Sequence, residues 1–209
     1  MSLQITNSTK SVRVRPTTKD DLRNLIESEL KRQGPDADLN FIDVSSITDM
    51  SYLFYRLDIR NIKIDSWDTS NVTNMADMFW DCQEFNADLS SWDVSNVTNM
   101  KYMFCYCPKF NCDLSSWDVS NVTNMSFMFT GCKKFNCDLS NWKLSENFSD
   151  AMLMFNGCES FSKKNKPKSI VINDYESPIK IADDVKDILA NNIRESVDRR
   201  IVSKLISSM

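Results

Sequence analysis

The eleven residues Ser90–Met100 read SSWDVSNVTNM, and the same eleven letters return at Ser115–Met125. The two copies are 25 residues apart. Tryptophans keep the same step, at Trp67, Trp92, Trp117 and Trp142. A fixed internal period of 20 to 50 residues is the signature of a repeat protein, in which each unit buries its apolar side against its neighbours. The sequence therefore predicts a stack of similar units.

Each unit contains two apolar patterns. Leu89, Trp92 and Val94 form an L-x-x-L-x-L pattern, and residues two apart share one face of an extended strand. A short helical face is indicated by the spacing i, i+3, i+4, i+7 of Met100, Met103, Phe104 and Cys107. We expect an α/β repeat solenoid, a leucine-rich-repeat-like right-handed coil with one parallel sheet, an N-terminal capping helix and a C-terminal helix.

The wording W-D-V-S-N-V-T-N-M…M-F…C…F-N…D-L-S resembles the repeat of BspA-type leucine-rich-repeat proteins, over about residues 36–162. The preceding stretch, RPTTKDDLRNLI…ADLNFIDVSSITDMSYLF, also resembles the segment that introduces such arrays. The resemblance implies a leucine-rich-repeat fold and a protein-binding or adhesive role without a conserved catalytic site. It also implies a bacterial surface or secreted location.

The patterns divide the chain into three parts. Residues 1–35 form an N-terminal arm and a capping helix over 18–33, with Thr18 as its N-cap and Gly34-Pro35 as its stop. Residues 36–162 hold about five 25-residue units. Residues 163–209 form a C-terminal cap with a long helix.

That C-terminal helix is predicted from Ala182 to Ser207 by an apolar stripe. The stripe consists of Val185, Ile188, Leu189, Ile193, Val197, Ile201 and Leu205. It either caps the last coil or pairs with a second copy of the chain to form a homo-oligomer, and the spacing does not decide between them. Capping is favoured because some element must cover that end of the array.

Composition argues against several function classes. The chain has no histidine and only three glycines, which removes histidine-based catalysis and the usual phosphate-binding loops. We therefore expect no enzyme activity, no cofactor and no metal. The net charge of −4 gives no general attraction to nucleic acid. No apolar run approaches the ~20 residues that a membrane-spanning helix needs.

Seven cysteines and an opening, MSLQITNSTKSVRVRP, without an apolar signal region predict unpaired thiols in the cytoplasm. Adjacent coils would bring Cys112 and Cys137 within reach of a disulfide, which a reducing compartment disfavours. A zinc cluster from Cys105, Cys107 and Cys112 is disfavoured because the sequence has neither a C-x-x-C pair nor histidine.

Two sets of repeated residues, the tryptophans and the Asn-Val-Thr sequences, resemble functional sites but are better explained by the structure of the coils. The tryptophans resemble a stacking platform, but Trp92 shares its parity with Val94, so we expect the column in the core. The Asn-Val-Thr sequences at Asn71, Asn96 and Asn121 resemble glycosylation sites. We interpret them as hydrogen-bonding ladders between coils.

We expect the remaining residues of the predicted strands, polar except for Phe41, to point outward and to form the candidate partner-binding surface. Its residues are Phe41, Asp43, Ser66, Asp68, Ser91, Asp93, Ser116, Asp118, Asn141 and Lys143. For any single aspartate, a hydrogen bond to a neighbouring serine is the simpler explanation. The hypothesis is a non-catalytic protein–protein interaction module that binds through the exposed strand face. The alternative is a structural or assembly protein that oligomerises through the C-terminal helix.

Overall fold

A computed structural model of the chain describes residues 13–168 and 170, all within a compact unit that spans Met1–Ile170. In this part the chain winds into stacked coils of about 25 residues, preceded by one α-helix. Parallel bridges join successive coils, linking Asp49 to Asn74, Asn74 to Asn99, Asn99 to Asn124 and Asn124 to Asp150. The repeat period of the sequence is therefore the stacking period of the coils.

Helix α1 spans Lys19–Gln33, which confirms the predicted N-terminal helix. The Thr18 side chain accepts a hydrogen bond from the backbone N–H of Asp21, and Gly34 ends the helix with a φ of +86°. A short 3-10 helix, Lys163–Asn165, follows the last coil. Neither element, nor any other helix in the described part of the chain, is long and apolar enough to cross a membrane. The predicted helix over residues 182–207 lies outside the described residues.

The predicted parallel sheet is wrong, because residues 13–168 and 170 contain no β-strand. The reason is that the chain turns at nearly every buried residue. The carbonyl of Leu89 accepts a hydrogen bond from the N–H of Trp92, and the carbonyl of Val94 accepts one from Val97. Trp92 and Val94 are both buried, as the parity predicts, but two turns leave no room for a strand between them. The α/β solenoid and its strand face are therefore corrected to a stack of turn-built coils.

The predicted helical segment of each unit is also a series of turns. Met103 donates its N–H to the carbonyl of Met100, three residues back, and Cys107 donates to Phe104 in the same way. Eight non-glycine residues in the described part of the chain have positive φ, namely Tyr52, Arg56, Asp77, Asp81, Tyr102, Tyr106, Phe127 and Leu153. A residue in the left-handed region interrupts an α-helix. The i, i+3 spacing that suggested a helix arises because each turn separates two buried residues by three positions.

One short unit builds most of the coil, and we call it the Asx-turn unit. It consists of an Asp or Asn, a buried apolar residue, two further residues and a second buried apolar residue. The third coil contains three such units, Asp88–Trp92, Asp93–Val97 and Asn99–Met103. The side-chain oxygen of the first residue accepts from the N–H of the third. The carbonyl of the second accepts from the N–H of the fifth. Asp and Asn favour this geometry because their short side chains bond the backbone two residues on.

A backbone ladder joins the segments that begin at Met50, Met75, Met100 and Met125. In each segment the N–H groups of the first, third, fifth and seventh residues donate to carbonyls of the next coil, which makes sixteen bonds of 2.7–3.0 Å. The third and seventh residues of each segment are the ones with positive φ. All of these bonds run from the earlier coil to the later one, so one edge of the ladder offers carbonyls and the other offers N–H groups.

Four side-chain columns add hydrogen bonds in the opposite direction, from a later coil to carbonyls of an earlier one. The indole Nε1 atoms of Trp67, Trp92, Trp117 and Trp142 donate to Leu39, Ile64, Leu89 and Leu114. The amides of Asn71, Asn96 and Asn121 donate to Ser45, Ser70 and Ser95. The hydroxyls of Thr73, Thr98 and Thr123 donate to Thr48, Thr73 and Thr98. The thiols of Cys82, Cys107, Cys132 and Cys158 donate to Phe54, Phe79, Phe104 and Phe129. The predicted tryptophan core and asparagine ladder are both confirmed.

Phenylalanine columns fill the middle of the coils. One column stacks Phe54, Phe79, Phe104, Phe129 and Phe155 with ring centroids 5.0–5.7 Å apart. A second column stacks Phe85, Phe110, Phe135 and Phe161 at 5.6–5.9 Å. Offset stacking of aromatic rings adds stability beyond the burial of their surface. The letters that recur in every unit are thus accounted for by turns, ladders and core packing.

Candidate interaction surfaces

The predicted partner-binding residues lie on the outside of the coils, though not on a sheet. Ser66, Asp68, Ser91, Asp93, Ser116, Asp118, Asn141 and Lys143 are exposed, and Phe41 and Asp43 are half-buried. Phe41 packs against the core, and the Asp43 carboxylate pairs with Arg15. The row is therefore a polar surface with one partly covered end, and we call these ten residues the polar column.

The aspartates of the polar column are used inside their own coils. The Asp93 carboxylate accepts hydrogen bonds from both the N–H and the hydroxyl of Ser95, at 3.0 and 2.6 Å. Asp43 binds Ser45 in the same way, and that serine together with Arg15 lowers the pKa of Asp43 to about 2. The Ser91 hydroxyl donates to a carbonyl of the preceding coil, that of Asp65. These contacts show that the side chains of the polar column stabilise the coils, which accounts for their recurrence without a partner.

A second surface is made of the positions that differ from one coil to the next. In each ladder segment the first, fourth, fifth and eighth residues are the recurring Met, Leu, Phe and Cys types, whereas the second, third, sixth and seventh vary. The varying residues are 51, 52, 55 and 56, then 76, 77, 80 and 81, then 101, 102, 105 and 106, then 126, 127, 130 and 131. We call them the variable face. Their buried members do not belong to the central core cluster, and they are Ser51, Ala76, Asp77, Trp80, Cys105, Ser126, Phe127 and Thr130.

Aromatic rings run across the variable face from coil to coil. Tyr52 meets Tyr55 edge-on at 5.9 Å, and Tyr55 meets Trp80 edge-on at 5.7 Å. Trp80 then stacks on Tyr102 at 5.0 Å, and Tyr102 stacks on Phe127 at 4.7 Å. Tyr52 is 44% exposed, while Tyr55 and Tyr102 are half-buried. Five rings from four coils therefore form one continuous aromatic row.

Charged groups accompany these rings. The Lys101 ammonium lies 5.0 Å from the centroid of the Tyr102 ring, and the Arg56 guanidinium lies 5.2 Å from that of Tyr55. Arg56 also pairs with Asp81 of the next coil at 3.3 Å. Cations over aromatic faces are attracted by the ring quadrupole. The variable face thus combines aromatic area with positive and negative charge.

The variable face also holds two buried polar atoms that lack a hydrogen-bond partner among the described residues, Asp77 Oδ1 and Trp80 Nε1. Asp77 is 5% exposed, and burial raises its pKa to about 7. A hydrogen bond from the Tyr52 side chain and the charge of Lys101 act in the opposite direction on that pKa. A buried polar group without a hydrogen bond lowers the stability of the fold, so the stability of the coil does not explain why these two groups are here.

Tyr106 shows why a glycine replaces larger residues at one end of the variable face. A Cβ atom on Gly131 would lie 2.9 Å from Cδ1 of Tyr106, and Gly131 has a φ of +76°. The left-handed backbone alone does not require glycine, because Arg56, Asp81 and Tyr106 adopt it at the same ladder position, so the Tyr106 ring is what excludes a side chain here. Tyr106 is half-buried over this glycine and adds a sixth aromatic side chain to the face.

The cysteines serve packing and hydrogen bonding. All seven are free, and burial raises the pKa of Cys112 to about 11 and that of Cys137 to about 12. Each of these two sulfurs accepts a backbone N–H, from Leu89 and Leu114 respectively, at 3.1 Å. Within residues 13–168 and 170, no group of three or more Cys, Asp or Glu side chains is placed to hold a metal ion.

The sequence pattern predicted the polar column as the binding surface and did not reveal the variable face. In the expected strands, alternate residues point outward, and this alternation selects residues such as Asp93 that recur in most units. The signal for the variable face was nevertheless in the sequence, since positions 52, 77, 102 and 127 hold Tyr, Asp, Tyr and Phe. Variation among otherwise repeated positions was the useful pattern. The alternative of assembly through residues 182–207 concerns a segment outside the described residues and stays a prediction.

Comparison with known proteins identifies a family. The family described as "Mycoplasma protein of unknown function, DUF285" matches residues 48–168. This range includes the whole variable face, and it begins two residues before the first ladder segment. No curated protein and no solved structure matched the chain.

Proposed function

The chain belongs to the DUF285 family of Mycoplasma proteins of unknown function, and from its own geometry we propose that it is a non-catalytic protein-binding module. The proposed binding surface is the variable face. The resemblance to BspA-type repeats, which implies protein binding or adhesion, supports the same class of function.

The observation that carries the proposal is that, within each ladder segment, the residue type varies from coil to coil at the second, third, sixth and seventh positions. Residues that recur are engaged in Asx turns, ladders or the core, as Trp92, Asn96 and Cys107 illustrate. At residues 51, 52, 55 and 56 and their counterparts the side chain changes from coil to coil, and the backbone N–H of the third position joins the ladder alike whether the residue is Tyr, Asp or Phe. Repeat proteins commonly place recognition at such positions on a constant scaffold.

The composition of the variable face supports a protein as the partner. Tyr, Trp and Arg are the residues most enriched at the energetic centres of protein interfaces. Tyr52 and Arg56 are exposed on this face, and Tyr55, Tyr102 and Tyr106 are half-buried there. Trp80, which contacts Tyr55 and Tyr102, is buried. Stacking between neighbouring rings also holds these side chains in place, so little conformational entropy is lost on binding.

The experiment compares partner capture by purified full-length variants. The test variants are Lys101→Glu and Tyr102→Ala, which alter one charge and one ring at the centre of the variable face. The matched control is the double variant Asp93→Asn with Asp118→Asn, which removes two charges from the polar column but keeps the amide oxygens that its turns need. Circular dichroism and thermal unfolding verify that each variant is folded.

We expect the test variants to weaken capture of the same proteins by about tenfold or more, since one interface anchor contributes roughly 1–2 kcal/mol or more. The control variant should capture them as the unmodified chain does. Loss of capture in the polar-column control, with full capture by both test variants, would contradict the variable face and restore the polar column.

A further inference from the structure

Asp77 and Trp80 belong to one turn within the variable face. The backbone N–H of Trp80 donates to the carbonyl of Asp77 at 3.2 Å, and both residues are 5% exposed. The carboxylate Oδ1 of Asp77 and the indole Nε1 of Trp80 find no hydrogen-bond partner among residues 13–168 and 170. One buried turn therefore carries an unused acceptor and an unused donor.

The first coil covers this turn with two tyrosines. The Tyr52 side chain hydrogen-bonds the Asp77 carboxylate, and the Tyr55 ring meets the Trp80 ring edge-on at 5.7 Å. The two tyrosine rings also meet each other edge-on at 5.9 Å. Asp77 and Trp80 are thus contacted by the same pair of rings.

The third coil covers the turn from the other side in a similar way. The positive charge of Lys101 acts on Asp77, and Tyr102 stacks on Trp80 with ring centroids 5.0 Å apart. The Lys101 ammonium in turn lies 5.0 Å from the centroid of the Tyr102 ring. Both neighbouring coils therefore enclose the two groups, and every side chain of this enclosure lies in the described part of the chain.

Tyr52 is the side chain through which the two groups can be reached. It is 44% exposed, whereas Phe127, at the same ladder position, is 6% exposed. Tyr52 and Tyr55 also line a cavity of about 280 Å³ beside helix α1, together with Arg23 of that helix. This volume is close to that of small-molecule pockets, so a phenol ring fits within it. Rotation of Tyr52 into the cavity would uncover Asp77.

The charges at this turn favour a neutral occupant. Lys101 already supplies a positive charge to Asp77, which disfavours a second cation, and the Asp77 carboxylate disfavours an anion. Burial raises the pKa of Asp77 to about 7, so near neutral pH its carboxyl group exists in both the charged and the neutral form. A neutral group with a donor and an acceptor can bond to either form.

Among neutral protein groups, a side-chain carboxamide suits a donor and an acceptor on one turn. Its NH₂ and C=O lie side by side, so an N–H can donate to Asp77 Oδ1 while the oxygen accepts from Trp80 Nε1. In a trans peptide the N–H and the C=O point in opposite directions, so a backbone amide does not meet both groups from one side. The surrounding rings provide flat surfaces on which the planar amide can pack.

We propose that the turn of Asp77 and Trp80 is an anchor site of the variable face, which takes the side-chain carboxamide of an asparagine or glutamine of the protein partner after Tyr52 rotates aside. This inference rests on the proposed function, because the carboxamide belongs to the partner of the variable face. It accounts for the two unpaired groups, since a site whose buried polar atoms are completed only by the correct side chain rejects side chains that lack those atoms.

NMR titration of the isotope-labelled full chain tests the site with propionamide, which is the side chain of glutamine without its backbone. We expect a saturable shift of the Trp80 indole N–H resonance, with a dissociation constant on the order of 1 mM or weaker. The Trp92 indole, which donates to Ile64, should not shift and is the internal control. Propionate, propanol and the peptide-group analogue N-methylacetamide should each bind at least tenfold more weakly.

Two variants test the hydrogen bonds, and a third tests the cover. Leucine suits the backbone at position 77, since Leu153 holds the same ladder position with a φ of +52°. Asp77→Leu should abolish the propionamide shift of Trp80 without lowering the unfolding temperature, because it removes an unpaired buried group. Trp80→Phe, followed through the Asp77 backbone amide, should weaken the response at least tenfold. Tyr52→Ala should strengthen propionamide binding several-fold, because no ring has to rotate.

Three results would overturn the proposal. A Trp80 resonance that propionamide does not shift would mean that the two groups are satisfied by resident water alone. An equal response to propanol or to N-methylacetamide would assign the site to a hydroxyl or to backbone instead of a carboxamide. A propionamide response that survives Asp77→Leu would place the probe elsewhere. Partner capture by Lys101→Glu and Tyr102→Ala is measured without propionamide, so failure of the proposed function is distinguishable from failure of this site.

Discussion

The guanidinium of Arg23 donates to the carbonyl of Leu53 at 2.9 Å, across 30 residues of sequence. The same side chain reaches the carbonyls of Tyr52 and Tyr55, and its Nε atom pairs with Glu27 one helical turn later. A guanidinium suits this task because its donors spread in a fixed plane and stay charged at every physiological pH. One side chain therefore donates to carbonyls of the first coil, a role that the N–H groups of a preceding coil perform in the rest of the ladder.

Replacing Arg23 by alanine should destabilise the protein by about 2–3 kcal/mol, because carbonyls bonded to a charged donor lose it. Arg23→Lys is the matched variant, since it keeps the charge but cannot reach several carbonyls at once, and we expect an intermediate loss. Urea unfolding followed by tryptophan fluorescence measures both. Equal stability of Arg23→Ala and the unmodified chain would show that α1 covers the first coil without this contact.

The tryptophans offer a direct comparison between a paired and an unpaired indole. Trp92 Nε1 donates to the carbonyl of Ile64 at 3.0 Å, whereas Trp80 Nε1 is buried without a partner among the described residues. Both tryptophans are 3–5% exposed. Trp92→Phe should cost about 1 kcal/mol more than Trp80→Phe, because only the former removes a hydrogen bond, while the Ile64 carbonyl keeps the N–H of Trp67 as a donor.

Chemical denaturation of the two variants checks this prediction. The loss of ring volume is the same in both, so it cancels in the difference between their free energies of unfolding. A larger loss for Trp80→Phe than for Trp92→Phe would contradict the role of the indole column in joining the coils.

The sequence predicted the stacking of this protein well and its local backbone poorly. The 25-residue step, the buried tryptophans, the asparagine ladder and helix α1 all followed from spacing and polarity, and the structure confirms them. Burial depends on which residues recur, and recurrence is visible in the letters. The outer polar residues were also placed correctly on the outside, although their predicted sheet does not exist.

The missing strands have a physical cause in the turn chemistry. Trp92 and Val94 are two apart and both buried, which is what a strand would show. The decisive residue is Asp93 between them, whose side chain bonds the N–H of Ser95 and starts a turn. The alternation of apolar and polar residues predicts only which side chains are buried. The Asp or Asn before each buried residue determines whether the backbone turns or continues as a strand. The left-handed residues, such as Tyr102, carry no compositional signal and could not be anticipated.

The Asx-turn unit makes a prediction for Asp93. Asp93→Ala should lower stability by about 1 kcal/mol, because the N–H and hydroxyl of Ser95 lose their acceptor. Asp93→Asn should retain most of the stability, since the amide oxygen accepts the same bonds. Thermal unfolding compares the two variants at pH 7. If both lose the same amount, charge rather than turn geometry is the contribution of this column.

Asp77 predicts an unusual dependence of stability on pH. Burial raises its pKa from the usual 3.8 to about 7, so the folded state binds a proton more tightly than the unfolded state does. Stability from this group is then complete below about pH 4 and is lost as the pH rises through about 7, by up to about 4 kcal/mol. Burial raises the pKa of the neighbouring Tyr102 further above its usual value, so this group does not titrate in this window.

Urea unfolding at several pH values between 4 and 8 measures that slope, and Asp77→Asn should abolish it. The chain has no histidine, so few other groups change charge near pH 7. The paired aspartates behave in the opposite sense and at lower pH, because the lowered pKa of a residue such as Asp93 makes stability fall on acidification below about 4. An unchanged slope in Asp77→Asn would assign the pH dependence to another group.

Gly131 and Gly157 separate backbone strain from steric contact beside the variable face. They hold the same ladder position in successive coils and have φ values of +76° and +72°, so alanine at either position carries a similar left-handed penalty of about 1–2 kcal/mol. A Cβ at Gly157 meets only the Gly131 backbone, at 3.4 Å, among the described residues, whereas one at Gly131 meets the Tyr106 ring at 2.9 Å. Gly131→Ala should therefore be more destabilising than Gly157→Ala by about 1–3 kcal/mol, in the range of overpacked sites.

Removing the ring should recover that difference. In a Tyr106→Ala background, Gly131→Ala should cost about as much as Gly157→Ala does, because only the left-handed penalty remains. The four free energies of unfolding form a double-mutant cycle, whose coupling term reports the contact between Tyr106 and Gly131. A coupling term near zero would mean that the ring moves aside without cost, and that Tyr106 is not held in place on the variable face.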